Sequence, residues 1–195
     1  MNAMKHTLVV FGATSALMTA ACSQSSDSDA KVEAEFQGSI EKSGIGEVKA
    51  TIDGAPYRGA TLDVPSEGTS TAEFRNLGPA TTISLQAHDP DAQSVMSNVL
   101  SVDFTVAGND ASAPLSGATI SYFPDGMNEP FYSSESSEPP AEVTLHTLSL
   151  EDGAASVIGE FTAKLCRKAG MFSEADTNNC VAVEGTFETA LRKSS

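Results

Sequence analysis

The sequence has no tryptophan and few other aromatic or basic residues. Aromatic residues make up 6% of its 195 positions, and its 11 lysines and arginines compare with 26 aspartates and glutamates, a formal net charge of −15. The scarcity of tryptophan and tyrosine argues against a sugar-binding cleft, which stacks its ligand on such rings. The negative charge argues against nucleic acid or bare anionic lipid as a partner, since both would be repelled.

Known catalytic motifs are missing as well. The sequence contains no nucleophile elbow, no zinc-protease helix motif and no phosphate-binding loop. Outside the N-terminal segment that contains His6, only His88 and His146 offer imidazole chemistry. Paired carboxylates for glycoside hydrolysis are recognised by their separation in space, which a sequence does not give. We therefore predict that the protein is not an enzyme and that it needs no cofactor.

No segment of helical length carries apolar side chains at a 3.6-residue period. Short stretches rich in valine, isoleucine, threonine and phenylalanine instead alternate with glycine, proline, asparagine and aspartate, which is typical of strands and turns. The predicted strands are 31–41, 47–53, 57–64, 71–77, 81–88, 98–107, 117–123, 141–151, 155–166 and 180–191. Strands at this spacing predict an all-β fold, an antiparallel β-sandwich or β-barrel of about 8–10 strands.

Three connections carry clear turn or loop signals. Asp53-Gly54 and Asp152-Gly153 are typical of tight turns. A three-residue turn over 152–154 predicts that paired positions sum to 306, so that His146 lies opposite Glu160 as an exposed pair of little energetic weight. The segment 124–140 contains four prolines and no periodicity. We predict that it is one long surface loop.

The N-terminal segment has the composition of an export signal. Lys5 precedes an apolar run from Thr7 to Ala21, too short to span a bilayer as a helix, and the run ends at Cys22. Residues 17–22, LMTAAC, resemble the lipobox of bacterial lipoproteins, with Thr19 where leucine is usual. An ordinary signal peptidase could also cut after Ala21 and leave Cys22 without lipid.

The resemblance covers the first 22 residues and implies cleavage before Cys22, acylation of Cys22 and anchoring in the cell envelope. Several acyl chains anchor a protein almost permanently, whereas one chain binds only marginally. Ser23 after the cysteine implies transport to the outer membrane. We therefore expect a signal peptide over 1–21, a lipidated cysteine and flexible tether over 22–30, and a single β domain over 31–195. Cleavage removes Lys5 and leaves a net charge of 10 − 26 = −16.

Cys166 and Cys180 enclose a polar loop, and such a pair serves a metal site, redox chemistry or a disulfide. A zinc site needs about four ligands, and the sequence offers neither a CxxC pair nor a spaced histidine pair. Exported proteins fold in oxidising surroundings. We therefore predict a structural disulfide, worth roughly 3 kcal/mol in the chain-entropy description.

The segments on either side of these cysteines fit one antiparallel register. If Cys166 lies opposite Cys180, paired positions sum to 346, and the face that carries Leu165 opposite Val181 is apolar throughout, while the cysteines lie on the other face. Phe161 then lies opposite Gly185, and Gly159 lies opposite Phe187. Each ring could cover the backbone that the glycine leaves bare.

Two loops carry the candidate calcium ligands, which are Asp89, Asp91, Asp125, Asn128 and Glu129. Calcium takes about six to eight oxygen ligands, so neither loop is sufficient alone. Only convergence of the two loops would produce a site. Ordinary turn chemistry also explains both stretches.

These observations predict an exported protein, an outer-membrane or periplasm-facing lipoprotein that acts as a non-catalytic binding or structural module. Its expected partners are the membrane, through the lipid anchor, and an envelope protein, but no nucleic acid. The alternative is an acidic inhibitor or capture protein for a cationic enzyme or peptide, which high salt would release. The candidate partner contacts are Arg167, Lys168, Phe131 and Tyr132.

Overall fold

Twelve strands form the regular structure of residues 43–194, the part of the chain that the computed structural model describes. They are β1 (Ser43–Ile52), β2 (Ala55–Val64), β3 (Thr69–Ser70), β4 (Ala72–Leu77), β5 (Ala80–His88), β6 (Val99–Val106), β7 (Leu115–Phe123), β8 (Phe131–Ser133), β9 (Glu142–Ser149), β10 (Ser156–Lys168), β11 (Ala175–Ala190) and β12 (Arg192–Lys193). Within the same residues, no helix has the length and apolar character needed to cross a membrane.

The strands pair around a ring of hydrogen bonds. Its order is β5, β6, β7, β8, β10, β11, β1 and β2, and Ala60 of β2 pairs with His88 of β5 to close it. Most of the pairing lies in two antiparallel arcs, β4–β5–β6–β7 and β9–β10–β11–β1–β2. The short β8 and the single β2–β5 bridge join these arcs, so the ring is not a regular barrel.

The predicted all-β antiparallel fold is confirmed. Nine of the predicted strands, from 47–53 to 180–191, coincide with β1, β2, β4, β5, β6, β7, β9, β10 and β11. The strand predicted over 31–41, the signal peptide, the tether and Cys22 lie outside the described residues. The described residues belong to one structural unit, Ile40–Ser195.

The β10–β11 pair has the predicted register. Phe161 lies opposite Gly185, Gly159 opposite Phe187, and the two cysteines opposite each other. A Cβ atom added at Gly159 would lie 2.6 Å from Cζ of Phe187, and one added at Gly185 would lie 2.8 Å from Cζ of Phe161. Each ring therefore covers a glycine on the neighbouring strand, as predicted.

The register predicted for β9 and β10 is wrong. Glu160 pairs with Thr144, and a bulge between Ile158 and Gly159 shifts the pairing along the rest of the hairpin. The bulge leaves His146 and Thr147 both exposed, so that Leu145 and Leu148, three positions apart, are both buried. A regular strand, in which alternate side chains face the core, could not bury both Leu145 and Leu148. His146 still reaches Glu160, with Nε2 3.6 Å from Oε2 on an exposed surface.

The prediction of one long surface loop over 124–140 is also wrong. This segment contains β8, where Phe131 is buried and stacks on Phe123 with ring centroids 4.9 Å apart. Its serines are partly buried too, because their hydroxyl groups satisfy the backbone: Ser134 Oγ accepts a hydrogen bond of 2.8 Å from Ile120 N. Because the segment 124–140 is rich in serine and proline, its sequence did not indicate the short strand β8.

Candidate functional site

Four connecting segments meet at one end of the ring. Because β1, β5, β7 and β10 end there and β2, β6, β8 and β11 begin there, the segments 53–54, 89–98, 124–130 and 169–174 surround a common mouth. Two of these segments are tied together by a hydrogen bond of 2.9 Å from Asn98 N to Pro124 O. The mouth is thus assembled from parts of the chain that lie far apart in sequence.

All three tyrosines of the chain line one pocket in this mouth, which we call the tyrosine pocket. Its volume is about 360 Å³, and Tyr57 comes from β2, Tyr122 from β7 and Tyr132 from β8. The other lining residues are Ile52, Asp53, Ala55, Pro56, Asn98, Pro124 and Val181. Tyr122 pairs with Tyr132 across the two strands. The rings of Tyr57 and Tyr122 meet edge to face, with centroids 6.3 Å apart and planes at 79°.

Asn98 joins the walls of the tyrosine pocket. Its Oδ1 accepts a hydrogen bond of 2.7 Å from the Tyr122 hydroxyl, and its Nδ2 donates one of 2.5 Å to Asp89 Oδ2. The Tyr57 hydroxyl donates to Ala87 O at 2.7 Å and lies 3.2 Å from Asn98 O. The backbone φ of Asn98 is 55°, a left-handed value that asparagine tolerates better than most residues. These bonds hold the rings of Tyr57 and Tyr122 in place.

The electrostatic surroundings of the pocket are negative. Burial raises the pKa of Tyr57 well above its ordinary value, and the charge of Asp89 and the nearby Tyr122 phenol raise it further. Burial also raises the pKa of Tyr122, with added contributions from Asp125, Asp89 and Tyr132. Both phenols therefore stay protonated at neutral pH and act as hydrogen-bond donors. Among the described residues, no lysine or arginine lines the pocket.

The two loops with the candidate calcium ligands are linked by the Asn98 N to Pro124 O hydrogen bond, but both carboxylate oxygens of Asp89 accept hydrogen bonds from the protein. Asp89 Oδ1 accepts a hydrogen bond of 2.8 Å from Asp91 N, and its Oδ2 binds Asn98. Asp125, Asn128 and Glu129 lie in a turn region where Glu129 N donates to Gly126 O. Residues 43–194 bring no three His, Cys, Asp or Glu side chains together in a group that could hold a metal ion.

The four residues predicted as partner contacts are brought together but are not equally accessible. Tyr132 pairs with Arg167, and Phe131 with Lys168, across β8 and β10. Phe131 and Lys168 are buried, which corrects their assignment as surface contacts. Lys168 Nζ lies 2.6 Å from Glu135 Oε2 and 5.8 Å from the Phe131 ring centroid, and both interactions compensate the buried ammonium charge.

Arg167 and Tyr132 are half-buried, and Tyr132 lines the tyrosine pocket. The sequence alone did not reveal this pocket. Its signal was weak, three tyrosines in a chain otherwise poor in aromatic rings, and nothing in their spacing indicated that they meet.

Exposed apolar side chains surround the same mouth. Five large hydrophobic side chains of the described residues are exposed, and four of them belong to the connections 89–98 and 169–174. These four are Val95, Met96, Met171 and Phe172, and the ring of Phe172 is fully exposed. The fifth, Leu77, lies at the β4–β5 hairpin at the opposite end. We call Met171 and Phe172 the apolar tip.

A disulfide secures the segment that carries the apolar tip. Cys166 and Cys180 are bonded, with a sequence separation of 14, as predicted. The bond joins β10 to β11 at the base of the connection, and the two strands pair again beyond it at Arg167 and Asp176. The covalent link limits how far the tip can move from the tyrosine pocket.

The comparisons with known proteins add no relative to these observations. No protein-family model matches the chain, and no curated protein or solved structure shows significant similarity to it.

Proposed function

We propose that the protein is a non-catalytic binding module of the cell envelope, anchored by lipid on Cys22, and that it binds its partner at the mouth. The observation that carries this proposal is that the tyrosine pocket and the apolar tip lie at the same end of the ring. Aromatic rings and methionines supply much of the binding energy at protein interfaces, and exposed apolar groups concentrated in one place mark interaction surfaces.

The chemistry of the pocket suits binding better than catalysis. The raised pKa values of Tyr57 and Tyr122 keep both phenols protonated at neutral pH, so neither supplies a phenolate that could act as a general base. Their hydroxyl groups already donate hydrogen bonds to Ala87 and Asn98. A pocket of this kind offers rings and fixed acceptors to a ligand, which favours recognition.

Site-specific photo-crosslinking tests the proposed binding end. A benzophenone amino acid replaces Phe172 in one variant of the full chain and Leu77 in the other, and both are irradiated in intact cells. Both side chains are exposed, and they lie at opposite ends of the ring. We expect a discrete adduct from position 172 and none from position 77. The same adduct from both positions, or none from position 172, would contradict the proposal.

A second candidate is an acidic inhibitor or capture protein for a cationic enzyme or peptide. It is favoured by Asp53, which lines the pocket, and by the charges of Asp89 and Asp125 beside Tyr122. Attraction between exposed charges falls steeply as salt shortens the Debye length from about 10 Å at 0.1 M to about 3 Å at 1 M. A cross-link from position 172 that disappears at high salt would favour capture over apolar docking.

The lipid anchor has its own test. Cys22→Ser removes the sulfur that acylation requires, so we expect the variant to leave the membrane fraction while keeping its fold. Cell fractionation followed by a high-salt wash measures this. The matched control is Ser23→Ala, which leaves Cys22 in place and should stay with the membrane. A Cys22→Ser protein that still sediments with membranes after the wash would rule out lipid on Cys22 as the anchor.

A further inference from the structure

The three rings that line the tyrosine pocket come from three strands. Tyr57 and Tyr122 are nearly perpendicular, and Tyr132 lies beside Tyr122 as its cross-strand partner. Directly paired residues on neighbouring strands have Cβ atoms about 4.5–5.5 Å apart, so these two rings can contact one ligand together. The face of an aromatic ring carries partial negative charge and attracts cations.

The charges around the rings favour a cation as well. Asp53 lines the pocket, and the negative charges of Asp89 and Asp125 act on Tyr122. Arg167 pairs with Tyr132 along the backbone but is not among the lining residues. An anionic group would meet these carboxylates, and among residues 43–194 no cationic residue lines the pocket wall to offset them.

The hydrogen-bond donors of the pocket are largely used within the protein. The hydroxyl groups of Tyr57 and Tyr122, and the side-chain and backbone amide groups of Asn98, all donate to protein oxygens. A carboxylate, phosphate or sugar ligand needs such donors. An alkylated ammonium group needs none, because it is bound through ring faces and diffuse negative charge.

The pocket is also small. Its volume of about 360 Å³ is near the lower end of the range of roughly 300–1,000 Å³ for small-molecule sites. It can hold a head group or the end of one side chain. It is too small to enclose a large ligand.

We infer that the tyrosine pocket binds an alkylated ammonium group that carries no adjacent phosphate, as in a free quaternary amine or a methylated amine side chain. This inference rests on the proposed function, since it specifies what the mouth recognises. Tyr57, Tyr122 and Tyr132 supply the rings, and Asp53 supplies a carboxylate on the pocket wall.

A titration followed by NMR tests the inference. The full chain is titrated with choline and, separately, with 3,3-dimethylbutan-1-ol, which has the same shape without the charge, at constant ionic strength. We expect choline to shift the tyrosine ring signals and to bind at least about tenfold more tightly than the alcohol. Glycerophosphocholine should bind more weakly than choline. Equal binding of choline and the alcohol, or tighter binding of glycerophosphocholine, would overturn the inference.

Variants assign the binding to this pocket. Tyr132→Leu removes a ring from a half-buried position and should weaken choline binding by about tenfold, whereas Tyr132→Phe keeps the ring and should stay within about twofold. Asp53→Asn removes the carboxylate charge and should also weaken binding. The backbone should not be strained, because asparagine tolerates the φ of 50° that Asp53 adopts. Asp152→Asn, in a turn at the opposite end, is its control and should change nothing. Unchanged choline binding in Tyr132→Leu would overturn the assignment.

The outcomes separate this inference from the proposed function. A cross-link from position 172 without choline binding would overturn the ammonium inference and leave the binding end in place. Choline binding that Tyr132→Leu abolishes, without a cross-link at position 172, would support the pocket and contradict a macromolecular partner at the apolar tip.

Discussion

Replacing Phe161 or Phe187 with alanine is expected to lower the free energy of unfolding by about 3–5 kcal/mol in each case. Each ring is 1% exposed and covers a glycine of the neighbouring strand. Phe187 also lies between two other rings, with centroids 6.3 Å from Phe161 and 6.0 Å from Phe104. Truncation therefore removes buried area, ring contacts and the cover of a bare backbone together.

Chemical denaturation of the full chain under oxidising conditions measures this effect. Phe172→Ala is the matched control, because the same truncation at a fully exposed ring should cost almost nothing. Since Phe161 and Phe187 are in contact, we expect the double variant to depart from additivity by about 0.5 kcal/mol or more. A loss below about 1 kcal/mol for either buried ring would mean that the rings do not pack over the glycines in solution.

The fold could be predicted because its signals are local. Alternating side chains, together with turns rich in glycine, asparagine or aspartate, located nine strands. The alternation also limited the β10–β11 register, since a shift of one residue would have turned Phe161 and Leu165 to the outside. The register itself was drawn by placing Cys166 opposite Cys180, and these two cysteines form the disulfide. In each case the deciding residues lie within one hairpin.

The two wrong predictions, the β9–β10 register and the loop over 124–140, concern segments whose local sequence pattern fits two different structures. The bulge in the β9–β10 hairpin buries Leu145 and Leu148 together, yet the sequence also fits a regular hairpin with one of them exposed. β8 has only three residues between prolines and serines, too few to show alternation. Short strands of this kind are specified by their neighbours. Here β7 and β10 provide the pairing.

The candidate site could not be predicted because closure of the ring creates it. Tyr57, Tyr122 and Tyr132 come from three strands, and closure of the ring through the bridge between β2 and β5 brings Tyr57 back to the other two. Strand order is set by long-range packing that no short window of sequence encodes. The exposure of Phe172 could not be predicted either, because an apolar residue in a polar loop can be buried against the domain or exposed to solvent.

Gly185→Val is expected to destabilise the protein, although valine is the better strand former. A Cβ at Gly185 would lie 2.5 Å from Lys49 O, 2.8 Å from Ala50 Cβ and 2.8 Å from Phe161 Cζ. The first of these atoms belongs to the backbone of β1, which pairs with β11 at this position, so it cannot move aside without disturbing that ladder. We expect a loss of about 1–3 kcal/mol, the usual cost of overpacking, or more.

The matched control is Gly44→Val on β1, where an added Cβ would meet no atom within 4 Å. Intrinsic strand preference acts alone there, so the substitution should leave Tm unchanged or raise it. Thermal unfolding of both variants in the full chain separates the two effects, since each exchanges a strand glycine for the same residue. A lower Tm for Gly185→Val with no loss for Gly44→Val is the expected pair of results. A higher Tm for Gly185→Val would mean that the Phe161 ring and the β1 backbone do not close over Gly185, and the β10–β11 register would then have to be redrawn.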